Sequence, residues 1–334
     1  MSRSDFLSAL QRGDGPIACG PGTSIVSIEL MDELDTCFPG AHRVARQMTR
    51  LAEAGHTQYG FDVVMPLFSV WHESAALGCE VDWGRKDVMP DCGTPICETD
   101  DDVRIASDFL NHPACQVPLE SIRMLKRELG PDAAVCGKVF GPWTLGYHLF
   151  GVQEFLMNTL LQPDMLKRAM EKLKQATILF ADAQLEAGAD CLLLGDHATR
   201  DLCSPDAYDE FLKETHTELV ERIESPIILH ICGDSSDRIP MIADTGVACF
   251  HWDTKTGSPG RARALAGEEM SLMGGLNNTA LLRTGSTEEI RIAIDLSIEA
   301  GVDIIAPECA VPLDTPMRNL KTVGKYISEK RTRR

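Results

Sequence analysis

The chain has 334 residues, 44% of them hydrophobic and 25% charged, which is ordinary for a globular protein and long enough for one large barrel or two smaller domains. A formal net charge of −18 and a pI near 4.9 argue against the basic face that nucleic acid or an anionic membrane surface requires. No apolar signal core opens the sequence, and no run approaches the roughly 20 apolar residues of a membrane span, so a cytoplasmic location is expected.

The predicted elements follow in chain order. A short helix over 5–11 precedes a strand or turn over 15–22 that is rich in breakers. The stretch 27–39 is ambiguous. Apolar recurrence at Val44, Met48 and Leu51 predicts a helix over 41–54, ended by Gly55, and a strand over 61–65 stops at Pro66. Residues 67–104 read as long loops with one short strand near 79–81. Regular alternation then begins: helix 118–130, strand 133–139, helices 152–161 and 163–188, strand 190–194, and helix 205–223 behind the N-cap Ser204. After a strand over 226–231 come helix 237–243, strand 247–250, helix 260–266 and strand 271–274. A helix over 286–300 opens on a capping box from Ser286 to Glu289, and strand 302–306 and helix 315–330 complete the set. The basic tail 331–334 is expected to fray.

The stretch from Pro226 to Asp234 carries the first chemical signal. Its continuous apolar run reads as a fully buried parallel strand. Residues two apart on a strand share a face, so His230 and Cys232 project together, roughly 6.5 Å apart at the backbone. The second apolar strand, 302–306, runs into Glu308 and Cys309, which places a third soft ligand just past its end. His, Cys and Cys with one open position describe a catalytic zinc site, one ion per chain. The twelve cysteines form no Cys-x-x-Cys pair, so the others are expected to be free thiols in a reducing compartment, Cys92 and Cys97 among them as loop thiols.

Repeated βα units without a glycine-rich phosphate fingerprint predict a single (β/α)8 barrel with an N-terminal extension, with a doubly wound sheet as the rival. Polar residues at the strand ends favour the barrel: Asp62, Asp196 and His197, His230 and Cys232, His251 and Asp253, Asn277 and Asn278, Glu308 and Cys309. In a barrel all such ends open on one face.

The set His230, Cys232 and Cys309 resembles the zinc signature of the methylcobalamin:coenzyme M methyltransferases, a branch of the uroporphyrinogen decarboxylase superfamily. The stretches 73–82, 137–145 (Gly-Lys-Val-Phe-Gly-Pro-Trp-Thr-Leu) and 230–233 resemble it as well, and the likeness covers 5–328 as one domain. It departs at 20–25 (Gly-Pro-Gly-Thr-Ser-Ile), where true decarboxylases carry an arginine-bearing signature. The resemblance implies a zinc-dependent methyltransferase that moves a methyl group from methylcobalamin to a small thiol acceptor, coenzyme M being the family's usual one. It also implies that the corrinoid arrives on a separate corrinoid protein, since the chain has no Asp-x-His-x-x-Gly motif of its own. A cofactor-free porphyrinogen decarboxylase and a non-catalytic corrinoid-protein binder with structural zinc are the alternatives.

Further candidates surround the three ligands. Asp196, Asn277, Gly141 and Asp253 are the expected substrate contacts. A loop salt bridge, a plain turn, or a tight turn near the corrinoid's approach are the simpler readings of the first three. The segment 251–253 could supply a supporting carboxylate or a fourth zinc ligand, and Glu308 has a similar claim. Trp143 reads as packing, and Asp62 and Glu73 are weaker candidates.

Overall fold

The computed structural model describes residues 3–13 and 15–332. Eight strands form one parallel sheet: β1 (Ala18–Cys19), β2 (Val63–Val64), β3 (Ala134–Phe140), β4 (Cys191–Gly195), β5 (Ile227–Ile231), β6 (Cys249–Trp252), β7 (Ser271–Leu276) and β8 (Ile304–Pro307). Each pairs with the next from β2 to β8, and β8 pairs with β1. Asp62 closes the ring between β1 and β2. Its backbone N–H donates to Cys19 O at 2.9 Å, and its carboxylate accepts the Cys19 N–H at 2.8 Å. The expected (β/α)8 barrel is therefore the fold.

Alternation along each strand sorts the side chains. Ala134 and Cys136, Cys191 and Leu193, Ile228, Cys249, Met273, Ile304 and Ala306 fill the barrel interior as one apolar cluster. The N-terminal helix Arg3–Leu10 adds Phe6 and Leu10 to that cluster and hydrogen-bonds the start of β7 through Ala9 O. It closes the amino-terminal end, which leaves the carboxyl-terminal end for chemistry.

Asp62 was expected at a strand's carboxyl end. It instead precedes β2, at the opposite end from the site, because the strand is shorter than its apolar run. The tail is corrected with it. The last helix, Met317–Thr332, carries Arg331, whose guanidinium donates to Asp62 Oδ2 at 2.6 Å and to Ile17 O at 2.7 Å. Residues 333–334 lie outside the described residues. Removing one partner of a buried ion pair strands the other, so Arg331→Ala is expected to cost about 3 kcal/mol. A urea titration should show it as a lower midpoint with unchanged slope.

Other departures have local causes. The expected helix over 41–54 is split: Gly40–Arg43 ends at Val44, whose backbone is extended, and a new helix runs Ala45–Thr57. The 67–104 loops contain the helix His72–Ala76 and a hairpin of Val81–Asp82 with Asp91–Cys92. The helix expected at 118 begins at Pro113 and absorbs Pro118. Proline has no N–H for the Ala114 carbonyl, and the ring of His72 takes that acceptor through Nδ1 at 3.0 Å. The helix over 205–223 contains a π turn at Asp209–Lys213, after which His216 reaches Asp196. The turn read at Gly141 and Pro142 opens a helix, Pro142–Phe150, with Pro142 at its first position.

Candidate metal centre

His230 ends the inward face of β5, and Cys232 follows two residues later. Gly233, at φ +85°, then turns the chain away, where a Cβ would lie 2.4 Å from the Thr199 hydroxyl. His230 Nε2 is 3.0 Å from Cys232 Sγ, and Cys232 Sγ is 2.9 Å from Cys309 Sγ. The three donor atoms all lie within 4.8 Å of one another. The sulfurs are too far apart for a disulfide, whose S–S length is about 2.05 Å, and both cysteines are free.

The donor set fits a zinc ion. Neutral imidazole and cysteinate are zinc ligands, and three of them leave one position open. Two Zn–S bonds of about 2.3 Å at a tetrahedral angle span roughly 3.8 Å, so the sulfurs need part by only about an ångström. The hydrogen bonds also fix the imidazole. Its Nδ1–H donates to the His251 carbonyl at 3.2 Å, which leaves the Nε2 lone pair facing the sulfurs. Cys232 and Cys309 share one hydrogen bond between their sulfurs, which either can donate. That bond pulls the Cys309 thiol well below its usual range and, with burial, holds the Cys232 thiol well above it.

Neighbouring side chains hold this rim in place. His251 stacks on His230 at 4.4 Å between centroids and hydrogen-bonds Pro307 O through Nε2 at 2.8 Å, tying β6 to the end of β8. Burial lowers the His251 pKa to about 3, so the ring is neutral. Asp253, the expected contact in the 251–253 segment, has both oxygens engaged. Oδ2 accepts the Gly233 N–H and Oδ1 the Lys255 N–H, each at 2.8 Å. It braces the loop that follows Cys232. Glu308 is committed too: Oε1 accepts Asn278 N–H at 2.9 Å, and Oε2 accepts the Thr254 N–H at 3.1 Å and the Thr254 hydroxyl. It fixes the backbone beside Cys309.

The remaining expected contacts, Asn277, Asp196 and Gly141, have these partners within the protein. Asn277 caps the following π turn through Oδ1 and donates from Nδ2 to Thr254 Oγ1 at 2.9 Å and Glu308 Oε2 at 3.2 Å. Asp196 accepts from Thr144 N and Oγ1 at 2.7 and 3.0 Å and meets His216 Nε2 at 3.1 Å, so it caps the helix Pro142–Phe150 from outside. Gly141 is required by that cap, since a Cβ there would sit 2.1 Å from Asp196 Oδ2. None of Asp196, Asn277, Gly141 and Asp253 lines the cavity beside the sulfurs. Trp143 is fully buried, edge-on to Phe155, as its packing role requires. Glu73 accepts the Phe140 N–H at 2.8 Å, and burial raises its pKa to about 7.

The cavity has a volume of about 200 Å³ and is lined by the three ligand residues together with Phe68, Phe140 and His197, among others. One residue that sequence reasoning passed over also lines it. Lys138 sits at an inward position of β3, two residues beyond Cys136, and is 3% exposed. The signal was available: a lysine within a strand read as buried, at the parity of the barrel interior.

Known proteins resemble the chain along almost its whole length. The family model for uroporphyrinogen decarboxylase (URO-D) matches residues 15–329. The methylcobamide:CoM methyltransferase MtaA of Methanosarcina barkeri is 29% identical over 310 residues, covering 92% of this chain and 91% of that protein. A methylated-thiol–coenzyme M methyltransferase of Methanosarcina mazei is 30% identical over 302 residues, covering 90% and 82%. The solved structure of a methyltransferase from Methanosarcina mazei superposes with a TM-score of 0.95 at 28% identity, covering 98% of each chain.

Proposed function

The chain belongs to the uroporphyrinogen decarboxylase family, and within it we propose that this protein is a methyltransferase carrying a methyl group from a methylated corrinoid to coenzyme M, with zinc held by His230, Cys232 and Cys309. The observation that carries the reading is the convergence of one imidazole nitrogen and two sulfurs on the wall of a small cavity at the barrel's carboxyl-terminal end. An ordinary thiol, with a pKa near 8.5, is mostly protonated at neutral pH and a poor nucleophile. Zinc, when bound, would supply the missing activation by taking the acceptor as its thiolate.

The chain's own residues do the rest. His230 presents Nε2 because the His251 carbonyl holds its other nitrogen. Asp253 and Glu308 fix the backbone on either side of the two cysteines, which line the cavity and would hold the ion there. A volume of about 200 Å³ lies below the roughly 300–1,000 Å³ of pockets for drug-sized ligands. It suits a short thiol and is too small for a corrin ring, which fits a corrinoid that presents its methyl group from outside the cavity. The decarboxylase alternative lacks support at the cavity: the segment 20–25 contributes Thr23 and Ser24 there and no arginine.

The test is direct. The zinc-loaded protein, given methylcobalamin and coenzyme M, should convert the cobalamin spectrum to that of cob(I)alamin with stoichiometric methyl transfer to the thiol. Absence of transfer with free methylcobalamin and with any methylated corrinoid protein would sink the assignment.

A further inference from the structure

We infer that Lys138, with the hydroxyl of Thr23, forms an anion subsite in the cavity floor that selects a short thiol bearing an acidic head group. The inference rests on the methyl-transfer reading for the thiol, and on the cavity itself for the anion. Lys138 is the one lysine or arginine lining the cavity, and its ammonium has no hydrogen-bond or ion-pair partner among the described residues. It lies over the ring of Phe140, 5.5 Å from the centroid. A buried charge without a partner is expensive. That cost is offset when an anion enters.

The surrounding groups agree. Thr23 lines the same cavity, and its Oγ1 is buried without a hydrogen-bond partner. Ser69, also in the lining, accepts the Trp71 N–H at 3.1 Å, which leaves its own hydroxyl hydrogen to donate. The carboxylate that acts on Lys138 at a distance is Glu73, and the two form no ion pair: one Glu73 oxygen takes the Phe140 N–H, and the other is buried without a hydrogen-bond partner. An ammonium and two hydroxyl donors suit the three oxygens of a sulfonate. Cys232 and Cys309 stand in the same small space. A ligand that joins a sulfur to an anion through a short chain reaches both, and a neutral thiol of equal length reaches only one.

The probe is 1-propanesulfonate, which keeps the head group and chain but has no thiol. Calorimetry on the zinc-loaded and zinc-stripped protein should show binding to both, competitive with coenzyme M where zinc is present. Lys138→Met should weaken it roughly 10- to 100-fold, the worth of a charge-assisted hydrogen bond, and Thr23→Val by less. Thermal unfolding checks that the variants are folded, and loss of a buried unpaired charge should not lower stability. A comparison on the unmutated protein needs no variant: neutral 1-propanesulfonamide should bind at least about 10-fold more weakly than the sulfonate. If the sulfonamide binds equally well, if folded Lys138→Met keeps full sulfonate affinity, or if stripping zinc abolishes sulfonate binding, the subsite is overturned. If sulfonate binding depends on Lys138 but no methyl transfer occurs, the subsite stands and the proposed reaction fails.

Discussion

Cys232→Ala and Cys309→Ser are each expected to lose the bound zinc and, with it, methyl transfer, while the barrel remains folded. Each removes one of the three proposed zinc ligands. In Cys309→Ser the soft thiolate is replaced by a hydroxyl that stays protonated at neutral pH, a poor zinc ligand. The loss should exceed the roughly 10- to 100-fold in metal affinity that an outer-shell partner is worth. Asp253→Ala supplies that comparison, since it frees the Gly233 N–H without touching the metal. Folding should survive because the ligands lie on the rim, beyond the apolar interior that starts at Ala134, Ile228 and Ile304. Metal content after dialysis against a chelator, measured beside the thermal transition, checks both halves. If the two cysteine variants retain one zinc per chain, the ion lies elsewhere.

How far the sequence spoke for itself depended on whether a residue's partners were local. The strands of the barrel were legible because buried parallel strands are unbroken apolar runs, and the parity of His230 and Cys232 follows from strand geometry alone. Cys309 was legible for a related reason: it follows an apolar run whose end can only be at the rim. Glu308, Asn277 and Thr254 were not readable as one network, because 23 to 54 positions separate the partners and only the closed ring brings them together. Asp196 illustrates the same limit. A carboxylate at a strand end reads as a site residue, yet its hydrogen-bond partners, Thr144 and His216, come from helices on either side of it in the chain. Asp62 misled because an apolar run shows that a strand exists more reliably than where it starts. Lys138 was less legible because it lies within a strand, whereas a barrel's active groups gather at the strand ends.

Binding of coenzyme M is expected to be strongest between about pH 8 and pH 8.5 and to weaken on both sides, since two ionisations oppose each other. The acceptor binds as thiolate, and an ordinary thiol ionises near pH 8.5. Below that value a proton must leave on binding, so affinity should rise about tenfold per pH unit. Lys138 acts in the other direction. Burial lowers its pKa to about 8, against the pull of Glu73, Cys309 and Cys136 towards a higher value. Above about 8 the free protein loses the ammonium that the anionic head requires, and binding must restore that proton. Net proton release at low pH should therefore give way to net uptake above about pH 8.5. Titration in two buffers of different ionisation enthalpy counts these protons directly. In Lys138→Met the descending limb and the uptake should vanish, leaving a rise that levels off where the thiol ionises. In the zinc-stripped protein the release should vanish instead, because nothing then demands the thiolate. A profile that rises and levels off unchanged in the unmutated protein would remove Lys138 from acceptor binding. Absence of proton release with zinc present would leave the metal without a part in activating the thiol.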